Sequence, residues 1–497
     1  MEINYIIVQA GGKGTRLDYL TANKPKALAP VDNLPLIFHL FKKFPDKRFI
    51  IIADYKKEAL RKYLACFSNI IYQIVDAEGA GTCAGISKAL TILPDSSPFM
   101  LIWSDLILPE SFIAPSIEGN YIGLSESFTC RWRYKDGKFE ETPSDTHGVA
   151  GLFVFQDKSC LADVPANGEF VKYLSNKDKT YGVIGLSGIK EIGLISDYIK
   201  IARPKCRPFN RVVKENGIFI KDPVDEQGKK LAEDECAWYE FATSRGVDSI
   251  PKIYGVNPLK MECINGKNIY EYKLGKNEKA VILHKLVDGL KRLHETAGKP
   301  FDFFSAMENY YNKTMRRLQQ IRGLAPFSDK KSIVVNDKEC RNVYYYHREL
   351  EKKFASMLYG RFAFIHGDCT FSNIMLRDDT TPVFIDPRGY FGYTKLYGDP
   401  LYDWAKLYYS IAGNYDRFNR GDFRLDIKKK SVALKIESNN WEDMGGDFFE
   451  LTGTDPEAIK LIHAVIWLSF ASYAWHDYDS ICGAFYNGLY YLEDVLC

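Results

Sequence analysis

The order of apolar runs along the chain predicts an α/β protein built from two domains of different kinds. From residue 5 to residue 103, short apolar runs alternate with helical patterns, which is typical of a doubly wound parallel sheet. Beyond residue 210 an Asn-Gly pair predicts a β-hairpin, and helical patterns dominate from residue 278 onward. A chain of 497 residues is also too long for a single hydrophobic core, so at least two domains are expected.

The N-terminal elements place two polar segments at strand ends. The predicted strands are residues 5–10, 49–53, 70–75 and 99–103, and the predicted helices are residues 36–44, 56–67 and 82–93. In a doubly wound sheet, ligands bind outside the carboxyl ends of the strands. The Gly-rich segment after the first strand and Asp105 after the last one both fall there, so this edge is the expected ligand site.

The sequence pattern changes between residues 201 and 208, where two prolines bracket a basic segment. A predicted hairpin at residues 212–221 follows, with Asn216-Gly217 at its turn. A helix is predicted at residues 228–245, and short strands are predicted at residues 251–254, 259–263, 362–366 and 382–386. We therefore expect domains at residues 1–203 and 204–497.

Composition and charge exclude several classes of protein. The formal net charge is +2 and no long Lys/Arg run occurs, which argues against a nucleic-acid partner. The 11 cysteines are scattered without metal-ligand spacing, and the first residues do not read as a secretory signal, which favours free thiols in a reducing compartment. No apolar run is long enough to cross a bilayer. These observations predict a cytoplasmic protein without membrane insertion.

The segment AGGKGTRLDYLTANKPKALAPV, which starts at Ala10, has the residue types that bind a triphosphate. Glycines 11, 12 and 14 allow backbone N–H groups to approach phosphate oxygens closely. Arg16 can neutralise a departing pyrophosphate, and Lys26 can reach the phosphate under attack. A dinucleotide-binding fold is the obvious competitor, but the spacing is not GxGxxG.

Taken whole, this segment resembles the signature of the sugar-nucleotide and choline-phosphate nucleotidyltransferase superfamily, in which GGxGTRL precedes PKxLxPV. The resemblance covers about the first 200 residues and implies a Rossmann-like domain that transfers a nucleotidyl group to a phosphorylated acceptor. It implies that Arg16 and Lys26 are catalytic and that Glu169 binds the acceptor. It also implies that Asp105 and Asp197 hold Mg²⁺. The implied nucleotide-binding residues are Ala10, Gly11, Gly12, Gly14, Thr15, Gly81 and Thr82.

The C-terminal half carries the motifs FIHGDCTFSNIML, from residue 364, and VFIDPRG, from residue 383. Phosphoryl transfer needs a carboxylate beside the attacking hydroxyl and oxygen ligands for the metal ion on the triphosphate. One predicted loop supplies Asp368 as the base and Asn373 as a metal ligand. The next predicted strand supplies Asp386 as a second metal ligand.

These motifs resemble HGDxxxxN…IDxxG of the aminoglycoside-phosphotransferase and choline-kinase family. The resemblance covers about 290 residues and implies a protein-kinase-like α+β domain. It implies that Lys221 contacts the ATP phosphates, that Glu235 is its ion-pair partner, and that Met261 and Glu262 lie at the adenine hinge. The sequence departs from the family in one respect, because residues 208–216 contain no glycine where a nucleotide-binding loop is expected.

A kinase makes a phosphomonoester and a nucleotidyltransferase consumes one, so the fusion predicts two consecutive reactions. We expect ATP to phosphorylate a small alcohol or sugar, after which a second NTP, with CTP as the first choice, yields an NDP-activated precursor for surface polysaccharide or lipid decoration. Mg²⁺ is expected at both sites, and a homo-oligomer is compatible with the sequence. The acceptor stays open between choline, a polyol and a sugar.

Two alternatives remain at this point. In one, a sugar-1-phosphate nucleotidyltransferase that uses UTP, GTP or dTTP is joined to its cognate sugar kinase. In the other, an antibiotic phosphotransferase is joined to an unrelated or non-catalytic nucleotide-binding domain.

Overall fold

Two units make up the chain. The computed structural model describes residues 2–115, 118–177, 179–201, 210–224, 226–357 and 359–496, without the side chains at positions 197, 200, 201, 210 and 227. The first unit comprises Met1–Arg203 together with the short segment His476–Asp479, and the second comprises Pro204–Trp475 and Ser480–Cys497. Residues 476–479 therefore group with the first unit, although they fall within the second of the two contiguous domains expected from the sequence.

The first unit is built around a nine-stranded mixed sheet. Seven of its strands follow one another across the sheet in the order Lys138–Glu140, Arg133–Lys135, Gly148–Phe155, Phe99–Trp103, Tyr5–Gln9, Arg48–Ala53 and Ile71–Asp76. Strand Tyr121–Ser125 pairs with Gly148–Phe155 and with Gly182–Leu186. Two-residue strands lie outside this sheet at Pro30–Val31, Leu34–Pro35, Leu106–Ile107 and Lys190–Glu191.

The centre of this sheet is parallel and buried. Strand Tyr5–Gln9 pairs in parallel with both Arg48–Ala53 and Phe99–Trp103. Their continuous apolar runs, such as Phe49–Ala53, are buried throughout, as expected for strands covered on both faces. The α/β class predicted from the sequence is confirmed. The antiparallel strand Gly148–Phe155 was not predicted.

Helices in the first unit are short. They are Leu36–Lys43, Lys57–Phe67, Ile86–Leu90, Phe170–Ser175 and Ile195–Ile201, with 3₁₀ turns at Thr15–Thr21, Lys26–Leu28 and Lys158–Leu161. The helix expected at residues 82–93 is thus reduced to Ile86–Leu90. The reason is local, because Gly81 and Gly85 have φ values of 82° and 77°, outside the helical region.

The second unit begins with a four-stranded sheet in the order Asn210–Glu215, Ile218–Pro223, Leu259–Glu262 and Ile253–Val256. The first two strands form the predicted hairpin. Asn216 and Gly217 at its turn have φ values of 49° and 76°, the two positive values that a two-residue type I′ turn requires. Further short strands are Gly266–Asn268, Gly298–Lys299, Ser332–Val335, Lys338–Arg341, Phe362–Phe364, Ile374–Arg377, Thr381–Phe384, Tyr390–Phe391, Thr394–Lys395, Tyr397–Gly398, Phe423–Ile427 and Ser431–Ile436.

Helices form most of the rest of this unit. The longer ones are Glu226–Ser244, Lys276–Thr296, Val343–Ser356, Pro400–Ile411, Pro456–Tyr473 and Tyr478–Leu496. The shorter ones are Phe303–Met307, Lys313–Gln320, Tyr415–Asn419 and Gly445–Thr452, with 3₁₀ turns at Ile269–Glu271, Phe371–Asn373 and Glu442–Met444. Residues Glu308–Asn312 form one π-helical turn. Among the described residues, no helix combines the length and the apolarity that a membrane span needs.

A buried histidine makes the stability of the second unit depend on pH. His463 is 1% exposed, its Nε2 accepts a hydrogen bond of 3.0 Å from Trp467 Nε1, and burial lowers its pKa to about 3. The pKa in the unfolded chain is about 6.5, so the folded state resists protonation and stability falls as pH drops below that value. The expected slope is about 1.4 kcal/mol per pH unit.

We therefore expect His463→Gln, whose amide oxygen can still accept from Trp467, to flatten the decline in stability between pH 6.5 and 5. The measurement is the free energy of unfolding against pH. The matched control is His284→Gln, since His284 is exposed and pairs with Asp288 on the helix surface. If wild type and His463→Gln lose stability in parallel, His463 is not the titrating group.

Candidate active sites

The Gly-rich turn follows the first strand of the N-terminal unit, at the carboxyl edge predicted for ligands. A Cβ on Gly11 would lie 2.9 Å from the Cβ of Asp54, and a Cβ on Gly14, whose φ is 64°, would lie 3.0 Å from that of Lys26. Both positions are therefore too crowded for a side chain. Gly12 faces open space, with no heavy atom within 4 Å of a Cβ built there, which leaves room beside its backbone. Ala10 is buried, whereas Thr15 is exposed.

Lys26 and Asp105 meet across the sheet edge. Asp105 comes directly after strand Phe99–Trp103, and its Oδ2 accepts an ion-paired hydrogen bond from Lys26 Nζ. Oδ1 of Asp105 is buried and has no hydrogen-bond partner among the described residues. A buried carboxylate oxygen without a partner costs free energy unless a cation binds it, so Asp105 fits the expected Mg²⁺. Arg16 is exposed.

The second segment predicted to contact the nucleotide is held against the first strand. Gln9 Nε2 donates to the carbonyl oxygen of Thr82 at 2.9 Å, and Thr82 Oγ1 accepts from the backbone N–H of Phe170 at 2.8 Å. A Cβ on Gly81 would lie 2.3 Å from the carbonyl oxygen of Gly168. The tight turn at Gly81 thus requires glycine and brings the segment next to the start of helix Phe170–Ser175.

Glu169, the expected acceptor-binding residue, precedes that helix and already has two partners. Its Oε1 accepts from Trp132 Nε1 at 2.6 Å, and its Oε2 lies 3.1 Å from Arg131 Nη1. Sequence reasoning missed Trp132 and Arg131, because neither falls in a recognisable motif. Asp197 lies in helix Ile195–Ile201, but its side chain is outside the described residues, so its role as a metal ligand stays a prediction.

Lys24, two residues before Lys26, forms a buried ion-pair cluster within the first unit. Lys24 is 1% exposed, and its Nζ lies 2.7 Å from Asp477 Oδ1 and 2.6 Å from Asp479 Oδ2. Burial disfavours the charged amine, but the two carboxylates more than offset this and raise the pKa of Lys24. Lys24 is therefore charged and fully paired inside the first unit, unlike Lys26 at the sheet edge.

In the second unit, Lys221 joins two of the predicted carboxylates. Its Nζ lies 2.8 Å from Glu235 Oε2 and 3.0 Å from Asp386 Oδ1. Burial lowers the pKa of Lys221, but the charges of Asp386 and Glu235 outweigh it, so the net shift is upward. Three residues spread over 166 positions of the chain therefore form one charged cluster, which can position and neutralise a triphosphate.

Asp368 and Asn373 lie together on the loop after strand Phe362–Phe364. Asn373 Nδ2 donates to Asp368 Oδ2 at 3.0 Å and to its carbonyl oxygen at 2.8 Å. Lys406 Nζ lies 2.9 Å from Asp368 Oδ1. Sequence reasoning missed Lys406, although its position three residues after Asp403 on one helix was a usable signal.

The orientation of the Asn373 side-chain amide shows which of its atoms could bind the expected metal ion. Because Asn373 uses its Nδ2 on Asp368, its Oδ1 is the atom that can face a cation, and Asp386 supplies carboxylate oxygens. These hard oxygen donors fit Mg²⁺, which proteins hold through one or two carboxylates plus substrate phosphates. Within the described residues, no group of three or more His, Cys, Asp and Glu side chains is placed to hold a metal alone.

His366 and Asp403 hold the shape of the loop through buried hydrogen bonds. Asp403 is fully buried and accepts from the backbone N–H groups of His366 at 2.8 Å and Gly367 at 2.7 Å. His294 Nε2 lies 3.0 Å from the same carboxylate. Burial lowers the pKa of His366, which keeps it neutral. Asp403 therefore ties helix Pro400–Ile411 to the loop that carries Asp368.

The predicted hinge residues lie in strand Leu259–Glu262. Met261 is buried and pairs in register with Phe219 of the hairpin. Glu262 accepts from Lys252 N at 3.0 Å, and its carboxylate is 2.9 Å from Arg377. The Glu262 side chain is thus committed to protein contacts, so any adenine contact there falls to the backbone.

A cavity of about 260 Å³ lies beside these groups. It brings together Lys221, Glu235, Asp368 and Asp386, four of the residues expected from the sequence. Its other walls carry residues that sequence reasoning did not select, which are Leu231, Asn309, Tyr310, Lys313, Thr314, Arg317, Pro387, Arg388, Tyr390, Tyr402, Lys406, Tyr409, Tyr415, Val465, Ile466, Ser469, Phe470 and Tyr473. The cavity therefore joins the predicted kinase residues to walls that sequence reasoning did not select.

Curated relatives match the N-terminal part of the chain. The catalytic subunit beta of mannose-1-phosphate guanylyltransferase from Drosophila melanogaster is 31% identical over 179 residues, which are 34% of this chain and 45% of the relative. The bifunctional protein GlmU of Methanococcus maripaludis is 25% identical over 122 residues, 24% of this chain and 29% of the relative. The chain thus spans less than half the length of these relatives.

Solved structures also align with the N-terminal part. HddC from Yersinia pseudotuberculosis is 19% identical, with 40% of this chain and 98% of that chain covered, at a TM-score of 0.35. CTP:phosphocholine cytidylyltransferase (LicC) from Streptococcus pneumoniae is 20% identical over the same shares of each chain, at a TM-score of 0.33.

Two family descriptions match separate parts of the sequence. Residues 6–119, which include Lys26 and Asp105, match the MobA-like NTP transferase domain, and residues 212–427, which include Lys221, Asp368 and Asp386, match the phosphotransferase enzyme family. Each match contains the charged cluster described above for its unit. The chain therefore carries a domain of the MobA-like NTP transferase family followed by a domain of the phosphotransferase enzyme family.

Proposed function

We propose that this chain is a bifunctional enzyme that phosphorylates a small alcohol and then transfers a nucleotidyl group to the new phosphate. The observation that carries the proposal is that one chain holds two assembled charged sites, one around Asp368 and one around the Lys26–Asp105 pair, in domains of matching families. The product of the first reaction belongs to the substrate class of the second.

In the first reaction, Asp368 accepts the proton of the acceptor hydroxyl. The hydroxyl oxygen attacks the γ-phosphorus of ATP, the bond to the bridging oxygen breaks, and ADP leaves. Lys221 holds the phosphates, and Glu235 and Asp386 fix the position of its ammonium group. Asn373 and Asp386 would hold Mg²⁺, which would neutralise charge on the triphosphate when bound. Lys406 keeps Asp368 oriented and stabilises its ionised form.

In the second reaction, an oxygen of the acceptor phosphate attacks the α-phosphorus of a second NTP, and pyrophosphate leaves. Lys26 neutralises charge that develops on the α-phosphate, and Arg16 does so on the pyrophosphate. Glu169 contacts the acceptor, and the backbone at Gly12 approaches the triphosphate. Asp105, with Asp197 as its expected companion, would hold Mg²⁺, which would neutralise charge on the α-phosphate. The buried Asp105 Oδ1 without a hydrogen-bond partner supports this role.

We propose CTP as the second nucleotide, on the resemblance of this compact domain to cytidylyltransferases of small phosphates. The curated relatives carry names that specify GTP- or UTP-derived products, such as the guanylyltransferase above and the UTP–glucose-1-phosphate uridylyltransferase AglF of Haloferax volcanii, which is 40% identical over 57 residues, 11% of this chain and 24% of the relative. The base preference is therefore tested with all four nucleotides.

The proposed kinase reaction is tested by acceptor-dependent ADP release from Mg-ATP. The panel contains polyols, sugars, their acidic derivatives, choline, ethanolamine and aminoglycosides. We expect ADP release with a small non-antibiotic alcohol, and a phosphorylated product of 80 mass units more, roughly the mass of the added PO₃H group. ADP release with aminoglycosides alone would contradict the proposal and favour an antibiotic phosphotransferase.

A further inference from the structure

The cavity beside Asp368 carries an excess of positive charge. Five cationic side chains and three carboxylates line it. Two of the cations are neutralised within the kinase cluster, since Lys221 pairs with Glu235 and Asp386, and Lys406 pairs with Asp368. The other three are Lys313, Arg317 and Arg388.

The hydrogen-bond partners of these three cations are neutral. Lys313 Nζ donates to Asn309 Oδ1, and Arg317 Nη1 donates to the backbone and hydroxyl oxygens of Ser469 at 3.2 and 2.9 Å. Arg388 donates to the hydroxyls of Tyr402 at 2.9 Å and Tyr390 at 3.1 Å. Within the described part of the chain, no carboxylate forms an ion pair with any of the three.

The three charges also act on one another. Burial lowers the pKa of Lys313 well below its usual value, and the nearby Arg388, Arg317 and Lys406 lower it further. Burial and Arg388 lower the pKa of Arg317 as well. Burial lowers the pKa of Arg388, but Tyr402, Tyr390 and Asp368 outweigh it, so the net shift is upward. An anion that binds beside Lys313 and Arg317 would stabilise their charged forms.

Four of the seven aromatic rings that line the cavity face protein cations. The guanidinium of Arg388 lies 4.4 Å from the ring centre of Tyr390, and that of Arg317 lies 5.8 Å from Tyr473. Lys406 lies 5.8 and 5.5 Å from the rings of Tyr402 and Tyr409. Because protein cations already use these faces, a quaternary ammonium or an aminoglycoside would meet like charge instead of an open ring.

Buried polar atoms without partners line the same cavity. Asn309 Nδ2, Thr314 Oγ1 and Tyr409 OH are buried and have no hydrogen-bond partner in the described structure, and their residues are 3%, 0% and 0% exposed. Asn309 belongs to the π-helical turn Glu308–Asn312, and such turns are frequent at functional sites. Buried donors of this kind are costly unless a ligand satisfies them.

We propose that the acceptor is an acidic alcohol, whose carboxylate, phosphate or phosphonate group binds Lys313, Arg317 and Arg388 while its hydroxyl faces Asp368. The inference rests on the proposed kinase reaction and names its substrate class. Guanidinium forks suit both carboxylate and phosphoryl oxygens, so the shared chemistry is a compact anion.

ATP phosphates are the competing anion for these cations, but the layout favours the acceptor. Lys221, which we assign to ATP, lies on the hairpin strand Ile218–Pro223. Lys313 and Arg317 lie one turn apart on helix Lys313–Gln320, which packs on helix Pro456–Tyr473, another wall of the cavity. Lys313 and Arg317 thus come from a different wall than Lys221, as separate sites for ATP and acceptor require, whereas Arg388 follows Asp386 by two residues.

The first test compares matched acceptors in acceptor-dependent ADP release. The sets are glycerol, glycerate and glycerol 3-phosphate, then glucose, glucuronate and glucose 6-phosphate, with choline as the cationic probe. We expect the acidic member of a set to be phosphorylated with a kcat/KM at least about 10-fold above its neutral parent. Comparing glycerate and glucuronate with glycerol 3-phosphate and glucose 6-phosphate shows whether the site prefers a carboxylate or a phosphate. Preference for a neutral or cationic acceptor overturns the inference and leaves the kinase proposal intact.

The second test removes single charges. We expect Arg317→Met and Lys313→Met to raise the KM for the acidic alcohol by about 10- to 100-fold with little change in the KM for ATP. Arg317→Lys should recover part of the loss. The matched control is Arg316→Met, because Arg316 is the adjacent residue, is largely exposed and pairs with Glu308. A rise in the KM for ATP alone would assign these cations to ATP and overturn the inference.

A binding measurement keeps the inference testable if no acceptor is turned over. Calorimetric titration of inorganic phosphate and glycerate into Asp368→Asn protein reports anion binding without catalysis. We expect binding that weakens in Arg317→Met and persists in Arg316→Met. Equal binding in both variants, or none in either, would overturn the anion site. Anion binding without turnover of any acceptor would instead support the site and contradict the proposed kinase function.

Discussion

Replacing Asp368 by Asn is expected to lower acceptor-dependent ADP production by about 10²- to 10⁴-fold, the contribution typical of a general base. An amide cannot take the hydroxyl proton, and it also loses its ion pair with Lys406. The isosteric change keeps the hydrogen-bonding shape of the loop, because Asp403 and not Asp368 accepts the backbone N–H groups of His366 and Gly367. The measurement is coupled ADP detection with the best acceptor of the panel.

The same variant is expected to retain nucleotidyl transfer. When the phosphorylated acceptor is supplied directly, pyrophosphate release by Asp368→Asn should equal that of wild type. A control for surface charge is Asp426→Asn, since Asp426 is exposed on strand Phe423–Ile427. Loss of both activities in a folded Asp368→Asn protein would refute the independence of the two sites.

Replacing Asp105 by Asn is expected to produce the reverse pattern. The change removes the carboxylate that pairs with Lys26 and takes away half of its oxygen donors for a metal ion. We expect pyrophosphate release to fall by about 10²-fold or more, since removal of a single charge-stabilising group typically costs that much. ADP production with the unphosphorylated acceptor should be unaffected. Pyrophosphate detection with each of the four NTPs provides the measurement.

Asp95→Asn is the matched control for this variant. Asp95 belongs to the same unit, is exposed and pairs with Lys158 at the surface, so its loss should leave both activities unchanged. Full nucleotidyl transfer by folded Asp105→Asn protein would mean that Asp105 is not a metal ligand. The Lys26–Asp105 pair would then be structural, in the manner of Lys24 with Asp477 and Asp479.

The sequence predicted those parts of the fold in which local chemistry dictates the backbone. The Asn216-Gly217 pair favours the type I′ turn that keeps the two strands paired, and the apolar run of residues 99–103 matches the observed strand Phe99–Trp103. The helix expected at residues 82–93 begins only at Ile86 in the structure, because Gly81 and Gly85 take positive φ values that a helix does not allow. Periodicity alone does not show that conformation.

The residues of the candidate sites likewise fall into those that the sequence predicts and those that only the packing of the chain reveals. Asp368, Asn373 and Asp386 stand in motifs with fixed spacing, so their order along the chain was enough to select them. Lys313 and Arg317 look like ordinary surface cations of a helix, and only the packing of that helix on Pro456–Tyr473 brings them to the cavity. Such long-range convergence leaves no local pattern in the sequence.

The acceptor illustrates what such convergence adds. The sequence left choline, a polyol and a sugar open as acceptors. The positions of Arg388 and Lys406 over the rings of Tyr390 and Tyr402 support the proposed acidic acceptor over a cationic one, because these faces are occupied by protein charges. The chemistry of the pocket thus depends on which residues meet and not on how many of each type are present.

The most direct test of the central claim is a single reaction that contains the purified protein, Mg-ATP, a second NTP and the acceptor, analysed by mass spectrometry. Two consecutive reactions predict an NDP-linked alcohol, with one ADP and one pyrophosphate released for each molecule formed. Omission of ATP should abolish the product unless the phosphorylated acceptor is supplied. Accumulation of the alcohol phosphate, with no nucleotide-linked product from CTP, UTP, GTP or dTTP, would contradict the claim that the two domains act on one substrate.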